Sequence, residues 1–274
     1  MVDAFAELAA IATMREEEID LARGALAIAA SEYPGLDENA YLASIDELAR
    51  EAGERIPETT NAAAKIEALN RFLFGERGFR GNEADYYDPR NSFLNDVLDR
   101  RLGIPITLSL LYCEVGRRIG LPLVGVGFPG HFLARHTGDP DIVIDPFAGK
   151  TLTIDDCRRL LETVAGRTTE LDPAMLRAAR PREILVRILR NLKLAWLRRE
   201  DMARALAVVE RILLFLPEDP VEIRDRGTLY LRLECFAPAL RDLERYLELA
   251  PNGEGAAEIR ERLPELHRKA ASLQ

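Results

Sequence analysis

The chain has 274 residues, of which 47% are hydrophobic and 30% charged, and its formal net charge at pH 7 is -9. The length predicts about two domains that each bury a core, and the composition excludes a disordered chain. The acidic balance, with a sequence pI near 5.1, argues against nucleic acid or an anionic membrane as a general partner.

The N-terminal residues and the cysteines indicate a cytoplasmic protein. The N-terminus is acidic where a secretory signal is basic, and Asp3 and Glu7 interrupt its apolar stretch. No window reaches the roughly eighteen apolar residues that a membrane-spanning helix needs. Cys113, Cys157 and Cys235 are odd in number and lack short spacings, which favours neither a disulfide framework nor a metal site.

Helices are predicted for the N-terminal part of the chain. Thr13 followed by Glu16 is a capping-box pattern, which predicts that a helix begins there. Asp37 is predicted to cap the next helix. A further helix is expected over residues 61–74 because its apolar residues recur at helical spacing. Its inward face comprises Ile66, Leu69, Phe72 and Leu73.

A loop is predicted at 75–90, since this segment is rich in glycine, charge and aromatic side chains and has neither the helical nor the strand period. It is either a surface loop pinned by its aromatic residues or the border of a binding cleft. The cleft candidates are Tyr86, Tyr87, Asp88 and Asn91, together with Thr107 further along the chain. For Asp88 and Asn91, turn and capping roles are the favoured alternative.

The central stretch predicts two helices and then a small sheet. Asn91 or Ser92 is expected to cap the first helix, and Gly103 to follow its C-terminal end. Pro105 suits the first turn of the second helix. Apolar residues cover so much of this second helix that it is expected to be buried, with an antiparallel meander packed against it.

Two histidines fall among the predicted strands, whose sequences are LVGVGF, HFLAR and DIVID. His131 is expected to open the second strand, and Asp145 to close the third. Strand ends can therefore bring an imidazole and a carboxylate together, as in a Cys-His-Asp site. The pair also admits a purely structural role that fixes two strands together. His136 is expected in a turn at a strand end.

The nucleophile of such a site is missing from the expected place. A catalytic thiol works best at a helix N-terminus, where the helix dipole lowers its pKa. The second helix has no cysteine near Pro105. Cys113 lies two turns further along on an apolar face, where desolvation raises a thiol pKa, so it is expected in the core. Cys113 and the hydroxyls of Thr107 and Ser109 are the alternative nucleophiles.

The C-terminal residues 181–274 show an internal repeat. Ala205 and Pro217 recur as Ala239 and Pro251, in each case 34 residues later. A period of about 34 residues, with alanine in the second helix and proline at its end, is typical of tetratricopeptide repeats.

Trp196 and Tyr230 occupy equivalent positions in the two copies and are the candidate binding residues of the repeat helices. The first copy carries Lys193 where the second has Gly227, and a small residue is usual there. Two copies are fewer than the three or so that stack stably alone. The repeats are therefore expected to dock on the preceding domain, and 255–274 to form a capping helix.

The run NSFLNDVLDRRLGIPITLSLLYCEVGRRIGLPLVGVGFPGHFLAR, followed by VIDPFAG and the repeat pair, resembles the bacterial SirB family of transglutaminase-like proteins. The resemblance covers nearly the whole chain. It implies that a cysteine starts the central helix of active members of the wider superfamily, with a histidine and an aspartate on the strands that follow. His131 and Asp145 match the last two places, whereas the cysteine place falls near Pro105, Ile106 or Thr107.

The expected fold class is therefore α+β. Residues 1–180 are expected to form a helical region and a transglutaminase-like domain, in which a buried helix packs on a small antiparallel sheet within the core 91–153. Residues 181–274 are expected to form the α-helical repeats.

The favoured function is a non-catalytic scaffold that binds a protein or peptide, that is, a transglutaminase-like pseudoenzyme coupled to repeats. The alternative is an amidase, protease or acyltransferase that uses His131 and Asp145 with a cysteine or a hydroxyl. A third interpretation makes the repeats an oligomerisation surface. No cofactor or metal is expected, and neither nucleic acid nor membrane is expected as a partner. The oligomeric state and the identity of the partner are left open.

Overall fold

The computed structural model describes residues 4–56 and 61–272. The chain divides into two compact units, the first built mainly on Met14–Ile188 and the second mainly on Leu189–Gln274. Within the described residues, no helix is both long and apolar enough to cross a membrane.

Within the described residues, six α-helices precede the main sheet. They are α1 (Ala4–Thr13), α2 (Leu21–Ala30), α3 (Glu38–Arg55), α4 (Ala62–Asn70), α5 (Leu94–Arg100) and α6 (Pro105–Arg118). A π-helical turn at Arg71–Glu76 extends α4, and 3-10 turns lie at Glu16–Glu18 and Pro89–Asn91. As predicted, the Asp37 carboxylate caps α3 by accepting the Ala40 N–H. The four apolar residues expected on the inward face of α4 and its π-helical extension are buried.

The prediction that a helix begins at Thr13 is wrong. Thr13 ends α1, and its hydroxyl donates back to the Ala10 carbonyl at 2.8 Å, so it cannot cap a following helix. The next α-helix, α2, begins at Leu21, and Asp20 caps it by accepting the Arg23 N–H at 3.0 Å.

The expected ends of α5 also need correction. Phe93 takes the N-cap position of α5 and provides no side-chain cap, whereas Asn91 and Ser92 lie at the end of the preceding 3-10 turn. Arg101, rather than Gly103, takes the left-handed conformation after the helix, with φ of 60°. Gly103 instead lies in a short strand, where a Cβ would come within 2.9 Å of the Thr107 hydroxyl.

The first unit contains two sheets. Short strands β1 (Arg80–Gly81) and β2 (Leu102–Gly103) pair in parallel. This pairing links the predicted loop, which contains β1, to the segment between α5 and α6. The main sheet is antiparallel in the order β3 (Leu123–Val126), β4 (Leu133–His136), β5 (Val143–Asp145), β6 (Lys150–Leu152). The predicted meander is therefore confirmed, with β6 as an additional strand.

Helices lie on the two faces of the main sheet. On one face, the cross-strand partners Gly125, Ala134 and Ile144 share a side, and the almost wholly buried α6 packs against β3 and β4. On the other face, a hydrophobic cluster joins the sheet to α7 (Ile154–Ala165). The cluster comprises Val126, Phe128, Leu133, Val143, Leu152, Cys157 and Leu161. A 3-10 turn at Pro173–Leu176 follows α7 in the chain.

The second unit is formed by helices. They are α8 (Pro181–Arg198), of which residues up to Ile188 belong to the first unit, α9 (Met202–Phe215), α10 (Pro220–Arg232), α11 (Phe236–Leu249) and α12 (Ala256–Ser272). The repeated alanines Ala205 and Ala239 are fully buried, as a close helix contact requires. The expected capping helix corresponds to α12, and its last two expected residues lie outside the described part of the chain.

The repeat copies differ at one packing position for a clear reason. A Cβ on Gly227 would lie 2.9 Å from the Leu243 side chain, so only a small residue fits there. At the equivalent position of the first copy, the Lys193 ammonium instead pairs with Glu222 at 2.7 Å and with Asp225 at 2.8 Å. Lys193 thus departs from the repeat pattern, and two carboxylates neutralise its charge.

Candidate functional site

His131 and Asp145 lie side by side in the first unit. The His131 Nε2 is 3.0 Å from the Asp145 Oδ1. The side chains of His131 and Asp145 are 13% and 8% exposed. His131 does not open β4 as expected, because that strand begins at Leu133; it lies in the turn between β3 and β4. Asp145 is the last residue of β5, as predicted.

The backbone fixes the Asp145 carboxylate. Its Oδ1 also accepts the N–H groups of Phe147 at 3.0 Å and Ala148 at 3.2 Å. An ionised carboxylate only accepts hydrogen bonds, so His131 donates from Nε2 to Asp145. Within the described chain, Nδ1 has no hydrogen-bond partner. Asp145 therefore fixes the orientation of the ring and leaves Nδ1 without an internal partner in this part of the chain.

Arg187 on α8 holds the turn that carries His131. Its guanidinium donates to the His131 carbonyl at 2.5 Å and to the Phe128 carbonyl at 3.3 Å. It also lies over the Phe132 ring, 5.3 Å from the ring centroid. Arg187 was not among the residues predicted from the sequence. The sequence feature that points to it is a single charged residue within the apolar run ILVRIL.

Aromatic rings continue from His131 to the surface. Phe147 meets the His131 ring edge-on with centroids 6.0 Å apart, and Tyr86 lies 6.1 Å from Phe147. Tyr87 follows at 5.3 Å from Tyr86. Tyr86 and Tyr87 are 38% and 36% exposed. Phe147 was also missed by sequence reasoning. We refer to His131, Asp145, Phe147, Tyr86 and Arg187 as the His131 cluster.

Asp88 and Asn91, two further cleft candidates, lie at the C-terminal end of the loop. Asp88 is 3% exposed and forms ion pairs with Arg90 at 2.8 Å and Arg100 at 3.2 Å. Burial opposes ionisation of Asp88, but the hydrogen bonds from Arg90 and the charge of Arg100 lower its pKa. Asn91 is fully buried and donates to the carbonyls of Asp85 and Tyr86. Both residues thus brace the loop that presents Tyr86.

The hydroxyl groups of α6 are engaged in structural hydrogen bonds. Thr107 is 1% exposed, donates to the Asn91 carbonyl at 2.7 Å and accepts the Ile104 N–H at 3.1 Å. Ser109 is fully buried and donates to the Phe132 carbonyl at 3.3 Å. These contacts place both hydroxyls in the packing of α6 and leave neither exposed.

The three cysteines occupy different environments. Burial and the neighbouring Glu114 carboxylate raise the pKa of the Cys113 thiol. Cys157 is fully buried on α7, and burial, followed by the charges of Asp156 and Asp145, raises its pKa to about 11. Cys235 is exposed and belongs to the second unit. None of the three hydrogen-bonds to His131 among the described residues.

The candidate residues of the repeats have partners within the second unit. Trp196 is 9% exposed and packs beneath the Arg204 guanidinium, whose central carbon is 4.9 Å from the ring centroid. The Tyr230 hydroxyl donates to Glu210 at 3.0 Å.

His136 and His267 are not members of the His131 cluster. His136 is the last residue of β4 and is 8% exposed, which differs from the turn position expected for it. His267 on α12 pairs with Glu244 at 3.0 Å. In the part of the chain that the structure describes, no group of three or more His, Cys, Asp or Glu side chains is placed to hold a metal ion.

Comparison with known proteins assigns both units. Residues 39–190 match the model of the transglutaminase-like superfamily, and residues 192–264 match a tetratricopeptide repeat. A UPF0162 protein of Xylella fastidiosa (strain Temecula1) is 41% identical over 261 residues, covering 93% of each chain. A UPF0162 protein of Vibrio cholerae is 34% identical, covering 89% of this chain and 90% of the relative.

A similar relative carries the SirB name. Protein SirB1 of Salmonella typhimurium is 32% identical over 209 residues, covering 76% of this chain and 78% of the relative. These matches confirm the resemblance seen in the sequence. The chain therefore belongs to the transglutaminase-like superfamily and, within it, to the bacterial family of UPF0162 and SirB1 proteins.

Proposed function

We propose that this protein is a non-catalytic scaffold that binds a peptide segment of a protein partner at the His131 cluster. A transglutaminase-like domain followed by tetratricopeptide repeats indicates a role in protein–protein interaction. The single observation that carries the non-catalytic part is the first turn of α6, which begins Pro105, Ile106, Thr107 and contains no cysteine.

The geometry of the His131 cluster supports a binding role. Tyr86 and Phe147 offer aromatic faces, which stack on apolar side chains, and His131 offers a ring nitrogen that can take part in a hydrogen bond. Peptide recognition commonly combines such apolar surfaces with a few fixed polar groups. The proposal includes two further expectations. The repeat domain begins at Pro181, and the protein is located in the cytoplasm.

The experiment is an array of random hexapeptides probed with the purified full chain. We expect a subset of peptides to bind the wild type and to lose binding at least tenfold in Phe147→Ala. The control variant, Tyr41→Phe, removes only a surface hydroxyl that donates to Asp99, so its binding profile should match the wild type. Wild-type protein that binds no hexapeptide above background would refute the proposal.

The alternative is an amidase, protease or acyltransferase, which the paired His131 and Asp145 favour. This reaction needs a reactive thiol or an accessible hydroxyl. Because its thiol pKa is raised, we expect Cys113 to react with iodoacetamide at pH 7.5 at least tenfold more slowly than the exposed Cys235. Faster alkylation of Cys113 than of Cys235 would support the enzyme instead.

A further inference from the structure

Several arginines of the first unit pair with carboxylates, and Arg187 does not. Arg100 pairs with Asp88, Arg118 with Glu114, and Arg177 with Glu183. Arg187 forms no ion pair with a carboxylate among the described residues, and its acceptors are the Phe128 and His131 carbonyls. It is a cation held only by neutral groups.

The charge of Arg187 is also partly removed from water. The residue is half-buried, and desolvation lowers the pKa of its guanidinium. Burying a charge is unfavourable unless a counter-charge compensates it. A carboxylate at this position would offset that unfavourable term, whereas a neutral group would not.

The guanidinium has hydrogen-bond donors to spare. It carries five N–H groups in a planar fork, which suits a carboxylate. The hydrogen bonds to Phe128 and His131 use one N–H of Nη1 and two of Nη2. The Nε–H and the second Nη1 hydrogen have no acceptor in the described part of the chain.

Tyr86 adds a second donor close to this charge. Desolvation raises the pKa of the Tyr86 phenol, and the neighbouring Arg187 charge opposes that rise, so the phenol stays protonated at neutral pH. Tyr86 lies against the Phe147 ring, Phe147 meets the His131 ring, and Arg187 donates to the His131 carbonyl, so both donors belong to the same cluster.

We propose that the His131 cluster recognises a carboxylate of its peptide ligand through Arg187 and Tyr86. This inference rests on the proposed peptide-binding function and specifies the chemistry of the ligand. The carboxylate comes from an acidic side chain or from a peptide C-terminus, and both present the same planar pair of oxygens.

The test uses arrayed hexapeptides in matched sets. One arm compares peptides that differ only in Glu against Gln, and the other compares free C-termini with C-terminal amides. We expect the wild type to bind the carboxylate member of at least one arm roughly tenfold more tightly, as a charge-assisted hydrogen bond implies. The arm that shows the preference identifies the source of the carboxylate.

Variants at Arg187 separate recognition from folding. Arg187→Met removes the charge and should abolish the preference, while Arg187→Lys keeps the charge and should retain part of it. Arg177→Met is the matched control, because this exposed arginine already pairs with Glu183. Thermal unfolding of each variant shows whether it is folded, and Arg187→Lys decides the result if Arg187→Met is not.

Each outcome has a distinct meaning. Equal binding of carboxylate and amide members refutes carboxylate recognition and leaves the proposed peptide-binding function intact. A preference that persists in Arg187→Met, or that Arg187→Lys loses completely while folded, refutes the role of Arg187. Absence of any peptide binding refutes both proposals.

Discussion

At the scale of single residues, His131 and Asp145 form a hydrogen-bonded pair that is tied to the backbone. Asp145 Oδ1 accepts from His131 and from two backbone N–H groups, so the carboxylate is integrated into the turn after β5. These contacts orient the imidazole and also stabilise the fold. The pair therefore has a structural role in addition to the role proposed for it in ligand binding.

Substitution of Asp145 should reveal this structural contribution. Asp145→Ala leaves the N–H groups of Phe147 and Ala148 and the His131 ring without their acceptor, and we expect its free energy of unfolding in urea to be about 2–4 kcal/mol lower than that of the wild type. Asp145→Asn keeps a carbonyl oxygen and should lose about half as much. The control Asp141→Ala, at an exposed turn position, should change stability by less than about 0.5 kcal/mol. Equal losses in Asp145→Ala and Asp141→Ala would contradict a structural role.

Cys157 should make the stability depend on alkaline pH. Its folded pKa is raised from an ordinary value of 9.0 to about 11. Between these values the unfolded chain loses the proton and the folded chain keeps it, so the stabilisation is complete below pH 9 and is lost as the pH rises towards 11.

We therefore expect the stability difference between the wild type and Cys157→Ala to shrink by about 1.4 kcal/mol between pH 8 and pH 10. Urea unfolding at a series of pH values measures this difference. Cys235→Ala, which removes an exposed thiol, serves as the control. A pH-independent difference for Cys157→Ala would show that its thiol titrates normally.

At the scale of elements, α6 packs more tightly against β3 than α3 packs against the residue that follows α6. A Cβ on Gly116 of α6 would lie 2.4 Å from the Leu123 side chain on β3. The glycine therefore sets the distance between the helix and the sheet. Gly53 of α3 has only an ordinary contact, since a Cβ there would lie 3.8 Å from Ile119.

The two glycines should respond oppositely to substitution by alanine. Gly53→Ala should stabilise the protein by up to about 1 kcal/mol, because alanine favours the helix. Gly116→Ala gains the same propensity but forces Leu123 to move, and we expect a net loss of about 1–2 kcal/mol. Thermal unfolding of both variants measures the two signs. A stabilised Gly116→Ala would mean that β3 accommodates the added methyl group.

Sequence patterns predicted those helix starts that depend on a single short-range contact. Asp37 bonds to the N–H three residues ahead, and its side chain alone determines this cap. Thr13 fitted the same pattern and failed, because the competing bond to the Ala10 carbonyl belongs to a helix that the pattern did not include. Strand β6 was missed because its three residues become a strand only through pairing with β5.

At the scale of the whole molecule, the pairing of charges and the net charge both bear on the choice of partner. In the second unit, Glu222 is 1% exposed and is neutralised by Arg190 at 2.8 Å and Lys193 at 2.7 Å. The described ion pairs join oppositely charged neighbours within the unit, and the chain as a whole is acidic. The net negative charge therefore favours partners whose binding does not require an extended basic surface.

We therefore expect no measurable affinity for nucleic acid. A fluorescent 30-base-pair duplex titrated with the full chain in 150 mM salt should show no anisotropy change up to roughly 10 μM protein, because a net charge of -9 repels phosphates. A basic DNA-binding protein run in parallel is the positive control. Binding that weakens steeply with added salt would contradict this expectation.

The sequence by itself determined the fold class, the buried α6, the meander, the repeat pair and the family. These features follow from periodicity, short-range capping and motifs that are local in the chain. It also placed Asp145 at a strand end beside His131.

Only the tertiary structure brought Arg187 and Phe147 to His131. Arg187 lies 56 residues from His131 along the chain and donates to its carbonyl. No local pattern encodes such a contact, because it depends on how α8 packs on the turn between β3 and β4. The engagement of Thr107, Ser109 and Asn91 in buried hydrogen bonds was likewise decided by packing, since a hydroxyl or amide finds its partner only when distant backbone arrives beside it.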